Sequence, residues 1–274
     1  MDRHACAIRG FQVAFLAFAL VLLNAPADKY VFSQWQWARD LELPVGRMMM
    51  FVTAAVLILL IDPLRRHCAM LLSARVATGT RREVVIGIGL VLLIDFAAFG
   101  GFALWNWLVG GEPRLARVMG QQQAHADEMS RALSTYGIVY FALFATTLGP
   151  IIEELLFRGM LYPAWRDAWG WVFGSLATAA VFGAFHGTFW PQFLGSLVFV
   201  CVLRKTNSLR GAIYVHAAGN LLLWYPVMGQ FMLPGGLSTG ELHLWTFHLV
   251  CLAGVLVLLP WYMWTARDAR LPTR

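Results

Sequence analysis

Charge is the scarcest ingredient of this 274-residue sequence: Asp, Glu, Lys and Arg make up 13% of it, about half the roughly 25% of an average soluble domain. So little charge excludes a disordered chain, which needs it to stay solvated, and an ordinary cytosolic globule. Cysteine is almost as sparse. Cys6, Cys68, Cys201 and Cys251 stand far apart with no C-x-x-C spacing, which argues against a thiolate zinc or redox centre and leaves four inert thiols. The H-E-x-x-H pattern of zinc proteases is missing, as are low-complexity tracts and any self-similar unit of roughly 20 to 50 residues.

What fills the chain is apolar. Hydrophobic residues reach 59%, with 12 Trp and a mean hydropathy of +0.63. Such a composition is stable where lipid is the solvent. A span needs about 20 mostly apolar residues to cross roughly 30 Å of hydrocarbon. Stretches of that kind lie near residues 8–23, 45–61, 84–108, 136–157, 170–186, 190–203, 210–229 and 242–264. The expected fold is all-α: a polytopic integral membrane protein of about eight transmembrane helices. The first stretch also has a signal-peptide look, with Arg3 and Arg9 before it and Ala25-Pro26-Ala27 after it; a retained helix is the reading taken.

An even number of spans puts both termini on one side, and the basic residues agree. Fifteen of the 21 Lys and Arg fall in loops of one side, from Arg3 and Arg9 through Arg65, Arg66, Arg204, Lys205 and Arg210 to Arg267, Arg270 and Arg274. The other six, Lys29, Arg39, Arg47, Arg114, Arg117 and Arg131, occupy two long early loops. The positive-inside rule then makes the termini cytoplasmic. The net charge of +6 becomes a topology signal, and basic residues scattered over loop ends exclude a nucleic-acid partner. The expected partners are the bilayer and a peptide or protein substrate. A long connection at 109–135 divides a chemically plain part, residues 1–130 with three spans, from a polar-bearing part, residues 131–264, followed by a tail, 265–274.

An ionisable group inside a span costs about 2.5 to 3.5 kcal/mol and is a functional-site hypothesis by default. Three segments carry such groups. In Gly149-Pro150-Ile151-Ile152-Glu153-Glu154-Leu155-Leu156-Phe157-Arg158, two carboxylates and an arginine sit in an apolar helix that Pro150 is expected to bend. Glu154 and Arg158 form an i, i+4 pair, whereas Glu153 points about 100° away and lacks a local partner. Phe182-Gly183-Ala184-Phe185-His186 follows on the next helix. A hairpin turning at about residue 169 sets Glu153, sixteen residues before the turn, level with His186, seventeen after it. In His216-Ala217-Ala218-Gly219-Asn220 an imidazole and a carboxamide share one helical face. Hydrolysis within a membrane needs a base to activate water and donors to hold an oxyanion, and this set holds candidates for both. Solvated glutamates at a helix end, a structural histidine and helix-to-helix hydrogen bonding are the plainer readings of the same residues.

Taken in order, these motifs resemble the CAAX-processing and bacteriocin-processing intramembrane endopeptidases, which include the type II CAAX prenyl proteases. The family's E-E-x-x-x-R corresponds to Glu153, Glu154 and Arg158, its F-x-x-x-H to Phe182 and His186, and its H-x-x-x-N to His216 and Asn220. The resemblance covers roughly residues 131–229. It implies eight helices around an intramembrane polar cavity open to the cytosol, with residues 131–264 as the protease core. It further implies that Glu153 and His186 activate water, that His216 and Asn220 form the oxyanion hole, and that Glu154 with Arg158 supports them. A metal-free glutamate mechanism is favoured; the zinc alternative would use Glu153, His186 and His216. A proton- or ion-coupled transporter and a non-catalytic scaffold are the competing classes. The absence of a targeting segment points to a bacterial inner membrane.

Among the other buried polar residues, Asp95 is expected to pair with a polar group on another helix. His243 and His248 are expected to be packing or interfacial groups, and Trp105, Trp107, Trp169, Trp171, Trp190, Trp261 and Trp264 interface anchors. Met48, Met49 and Met50 read as lipid-facing.

Overall fold

The computed structural model describes residues 62–73, 79–132, 144–186, 188–224 and 242–269. The stretches read as spans at 8–23 and 45–61, the Ala25-Pro26-Ala27 segment, Met48 to Met50 and the last five residues lie outside them. Every described element is a helix. Helix α1 is Asp62–Ser73. Helix α2, Thr80–Ala132, breaks at Gly110 and Gly111, the latter at φ 63°, a backbone state that glycine adopts without steric cost. Leu115 and Met119 beyond the break bury against Ala103 and Phe99 before it. Ala103 and Leu115 would be about 18 Å apart on a straight helix, so the chain doubles back there. The connection read as polar loop over 109–135 is thus helical to Ala132, because Leu115 and Met119 give it one apolar face.

A helical run then extends from residue 144 to 184. It comprises a π-helical stretch Phe144–Leu148, α3 (Gly149–Glu154), a second π-helical stretch Leu155–Leu161 and α4 (Tyr162–Ala184). Gly170, at φ 82°, folds α4 into two antiparallel halves. A Cβ on Gly174 would lie 2.6 Å from the backbone nitrogen of Arg166, so the halves pack with their backbones almost touching. This is the hairpin expected near residue 169. After it come α5 (Phe189–Thr206), a one-residue left-handed turn at Asn207 (φ 50°), α6 (Leu209–Trp224) and α7 (Leu242–Ala266). Among the described residues, two helices are long and apolar enough by themselves to cross a membrane, Thr80–Gln121 and Thr246–Ala266. The apolar helices agree with an integral membrane protein.

Side-chain contacts fix the directions of these helices. Lys205 and the Tyr262 hydroxyl both meet Glu83, at 2.9 and 3.0 Å, so the start of α2 and the ends of α5 and α7 share one end of the bundle. Farther along, Gly87 abuts Val202 and Val215, Val91 abuts Gly219, Leu93 abuts Gly254, and Gly100 abuts His248. Helices α2 and α6 therefore run one way and α5 and α7 the other, the alternation that the span assignment requires. Arg204 locks the shared end. Its guanidinium donates to the carbonyls of Ala266, Arg267 and Ala269 and to the Tyr162 hydroxyl, at 2.8 to 3.2 Å, capping α7 and lying over Trp171. Trp171, read from sequence as an interface anchor, is a stacking partner of Arg204. Exposed Trp105, Trp107, Trp169, Trp190, Trp261 and Trp264 stand on the outer surface.

At the opposite end, Nδ1 of His248 donates to the Phe96 carbonyl at 2.9 Å, a packing role. The His243 side chain lies outside what the structure describes. A Cβ on Gly100 would fall 2.7 Å from the His248 Cβ and 3.0 Å from its backbone carbonyl, whereas the neighbouring Gly101 faces open space. Gly100→Ala should therefore cost about 1 to 3 kcal/mol by overpacking and lower the thermal midpoint of the purified protein in detergent, while Gly101→Ala should leave it nearly unchanged.

Candidate active site

Glu153, Glu154, Arg158, His186 and His216 come together between the helical run, the end of α4, α5 and α6. Tyr162, Arg204 and Leu209 mark the basic end of the bundle. Glu154 and Ser196 lie eight residues from Tyr162 and Arg204, and His216 lies seven from Leu209, so each sits roughly 10 to 12 Å inward. Three helices thus deliver polar side chains to one depth.

The most closely bonded part is the pair of fully buried ions. Arg158 Nη1 donates to Glu154 Oε1 at 2.9 Å, with both side chains 0% exposed. The i, i+4 pair expected from sequence is formed, and it reaches further than expected. Nδ1 of His216 bonds the same Oε1 at 2.9 Å, and Nη2 of Arg158 donates to Ser196 Oγ at 2.7 Å. The guanidinium lies 4.4 Å from the Phe182 ring centroid and 4.9 Å from that of Phe199. Phe199 also stacks on His216, with ring centroids 4.6 Å apart and planes at 18°. In so apolar a cage an unpaired ion would cost several kcal/mol, and each ion is paired.

Glu153 forms the other part. Its Oε2 lies 3.8 Å from Nε2 of His186 and 3.6 Å from Nε2 of His216, beyond direct hydrogen-bond range. That oxygen is buried and takes no hydrogen bond from the described residues. Both imidazoles are oriented through their other nitrogen: His186 Nδ1 bonds the Phe182 carbonyl at 2.7 Å, and His216 Nδ1 bonds Glu154. A carbonyl only accepts, and so does the Glu154 carboxylate, which already accepts a hydrogen bond from Arg158, so each Nδ1 is the donor. In the neutral rings both Nε2 lone pairs then face the region of Glu153. His186 was expected on the helix; it sits two residues past Ala184, where α4 has ended. Ending there frees the Phe182 carbonyl to take the imidazole, because helix termini leave carbonyls without intrahelical partners.

Asn220, one turn after His216, uses one amide N–H on the Ala145 carbonyl at 2.7 Å. The reason lies in Pro150. In π-helical register the carbonyl of residue 145 looks to the N–H of residue 150, and proline has none. Pro150, expected to bend the helix, lies between two π-helical stretches, and the Ala145 carbonyl that it leaves without a donor is satisfied by Asn220.

Sequence reasoning missed Ser196 and the Glu154–His216 bond. The only local sign of Ser196 was Gly195-Ser196 within an apolar helix. Asp95 was expected to pair on another helix, but it makes no hydrogen bond or ion pair among the described residues. Cys201 and Cys251 are buried free thiols; Cys6 and the Cys68 side chain are outside the description. Among the described residues, no three His, Cys, Asp or Glu side chains are grouped closely enough to hold a metal as they stand.

The family model described as type II CAAX prenyl endopeptidase Rce1-like matches residues 135–222. No curated protein and no solved structure matches the chain. The match spans Glu153, Glu154, Arg158, His186, Ser196, His216 and Asn220. Residues 135–222 are thus similar to the Rce1-like type II CAAX prenyl endopeptidases.

Proposed function

We propose that the chain is an intramembrane endopeptidase that hydrolyses a peptide bond of a membrane-associated substrate with water activated by Glu153. The observation that carries this reading is the approach of Glu153 Oε2 to two oriented imidazole nitrogens, at 3.8 and 3.6 Å. Those spacings suit a water molecule lying to one side, donating one proton to Glu153 and the other to His186. Glu153 takes one proton from that water, and the oxygen attacks the scissile carbonyl carbon. His186 holds the water and shares the proton. The tetrahedral oxyanion receives Nε2–H of His216, which requires the imidazolium form with Nδ1–H on Glu154, and the second amide N–H of Asn220. Collapse passes the proton from Glu153 to the departing amine, and the second water proton, left on the new carboxyl group, ends on the same amine, giving an ammonium and a carboxylate terminus.

The zinc alternative involves the same groups. Zinc bonds of about 2.0 to 2.1 Å place ligand atoms roughly 3.3 Å apart, slightly closer than the atoms stand here. Glu153, His186 and His216 have suitable donor chemistry, with each Nδ1 anchored as metal-bound histidines usually are. Bound there, zinc would supply Lewis acidity to a coordinated water. The metal-free reading predicts that processing persists in 1,10-phenanthroline and that added zinc does not stimulate it. Loss in chelator with recovery on zinc would reassign the three side chains as ligands.

Eight transmembrane helices, both termini cytoplasmic, fit this reading, with a bacterial inner membrane as the setting. Substrates of that setting are leader peptides, sorting helices or other membrane segments. A membrane-proteome comparison of cells carrying the intact protein, Glu153→Ala and His186→Ala at equal abundance tests it. A precursor accumulating uncut in both variants is expected. If no terminus changes, the proteolytic reading fails; a loss of proton or ion flux in vesicles would then favour a transporter, and no change of either kind a scaffold.

A further inference from the structure

The contacts of Arg158 contain an anomaly. Arginine and a carboxylate side by side ordinarily close a two-bond fork, yet Arg158 gives Glu154 one bond, Nη1 to Oε1. The second bond of an end-on fork would run from Nη2 to Glu154 Oε2, but Nη2 is turned to Ser196, and Oε2 is buried without a hydrogen bond among the described residues. A fully buried ion pair that forgoes its second bond is held open by something else. What holds it is Ser196: Nη2 donates to its Oγ at 2.7 Å and faces its carbonyl oxygen at 3.4 Å. Phe182 and Phe199 surround the guanidinium and offer no competing acceptor. The open fork leaves Glu154 Oε1 aimed at His216 Nδ1, at 2.9 Å.

We infer that Ser196 is a positioning residue: by anchoring Nη2 of Arg158 it keeps the Arg158–Glu154 fork open and so holds Glu154 in the geometry that orients His216. The inference deepens the proteolytic reading and rests on it for its consequence in catalysis. Without the Ser196 hydroxyl, Nη2 keeps only the long contact to the carbonyl, and the guanidinium turns to close the fork on Oε2. The ion pair becomes better satisfied, and the imidazole loses its fixed partner. Stability and activity should move apart, which a residue that merely fills space would not cause.

Three variants of the full-length protein test this: Ser196→Ala, Ser196→Thr, and Ser196→Ala combined with Glu154→Gln. Their thermal midpoints are measured in detergent, the His216 signals by histidine 15N spectroscopy, and processing on the precursor that accumulates with Glu153→Ala. Ser196→Ala should be at least as stable as the intact protein, should shift the His216 Nδ1–H signal, and should process about tenfold more slowly, the scale of one hydrogen bond to a charged group. Ser196→Thr, which keeps the hydroxyl, should restore both signal and rate. In the Glu154→Gln background Ser196→Ala should cost nothing further, because it acts through that carboxylate. An unchanged His216 signal with Ser196→Ala would overturn the inference, as would a loss of stability that Ser196→Thr does not repair. If Glu153→Ala accumulates no precursor, it is the proteolytic reading that fails, and the imidazole spectrum still decides whether Ser196 holds the fork.

Discussion

Glu153→Gln should slow processing by about 10² to 10⁴-fold, the contribution of a positioned general base, while leaving the protein folded and at normal abundance. The substitution preserves side-chain size and removes the basic oxygen. Glu153 Oε2 takes no hydrogen bond from the described residues, so none of their hydrogen bonds is lost when that oxygen is replaced. Its neighbours remain organised without it: His186 keeps the Phe182 carbonyl and His216 keeps Glu154. A rate loss without a stability loss is the mark of a group placed for chemistry. The initial rate of precursor cleavage in isolated membranes, with the thermal midpoint in detergent as control, checks it.

Arg158→Ala should behave in the opposite way and destabilise the protein by about 3 to 5 kcal/mol, since it strands the Glu154 carboxylate in a buried apolar cage. Arg158 and Glu154 are both 0% exposed, and the Phe182 and Phe199 rings around them offer no solvation. Replacing both ions together, Glu154→Leu with Arg158→Met, should recover much of that stability, because a well-packed apolar pair avoids the cost of burying charge. Activity should not return, since His216 then has no carboxylate at Nδ1. Thermal unfolding of the single and double variants gives the first result and processing rates the second. If the double variant were as unstable as Arg158→Ala, packing and not the stranded charge would be the cause.

Both effects trace to features of unequal legibility. The pairing of Glu154 with Arg158 follows from helical spacing, and the matching depth of Glu153 and His186 follows from counting residues to Gly170, whose left-handed backbone makes the turn. Such facts are local, and sequence carries them. Which side chain completes a site from another helix is set by how helices pack. The Ser196 bond depends on α5 lying against the helical run, and the His216–Glu154 bond on the rotation of α6, where Gly87 and Gly219 allow close approach to Val215 and Val91. An apolar helix with one serine gives no sign of which neighbour that serine meets. Asn220 is an intermediate case. Its face was readable, but its bond to Ala145 needed the π-helical register around Pro150. The helix after Gly111 was hidden differently, because the residues described as buried there, Leu115 and Met119, are too few to stand out within a polar stretch.

The most direct test of water activation by Glu153 uses the purified protein in proteoliposomes, with the precursor that accumulates in Glu153→Ala cells and 1,10-phenanthroline present. The account predicts that the intact protein cuts this precursor at one peptide bond under these conditions and that Glu153→Gln, folded and reconstituted equally, does not. Cleavage by Glu153→Gln at the intact rate would contradict it.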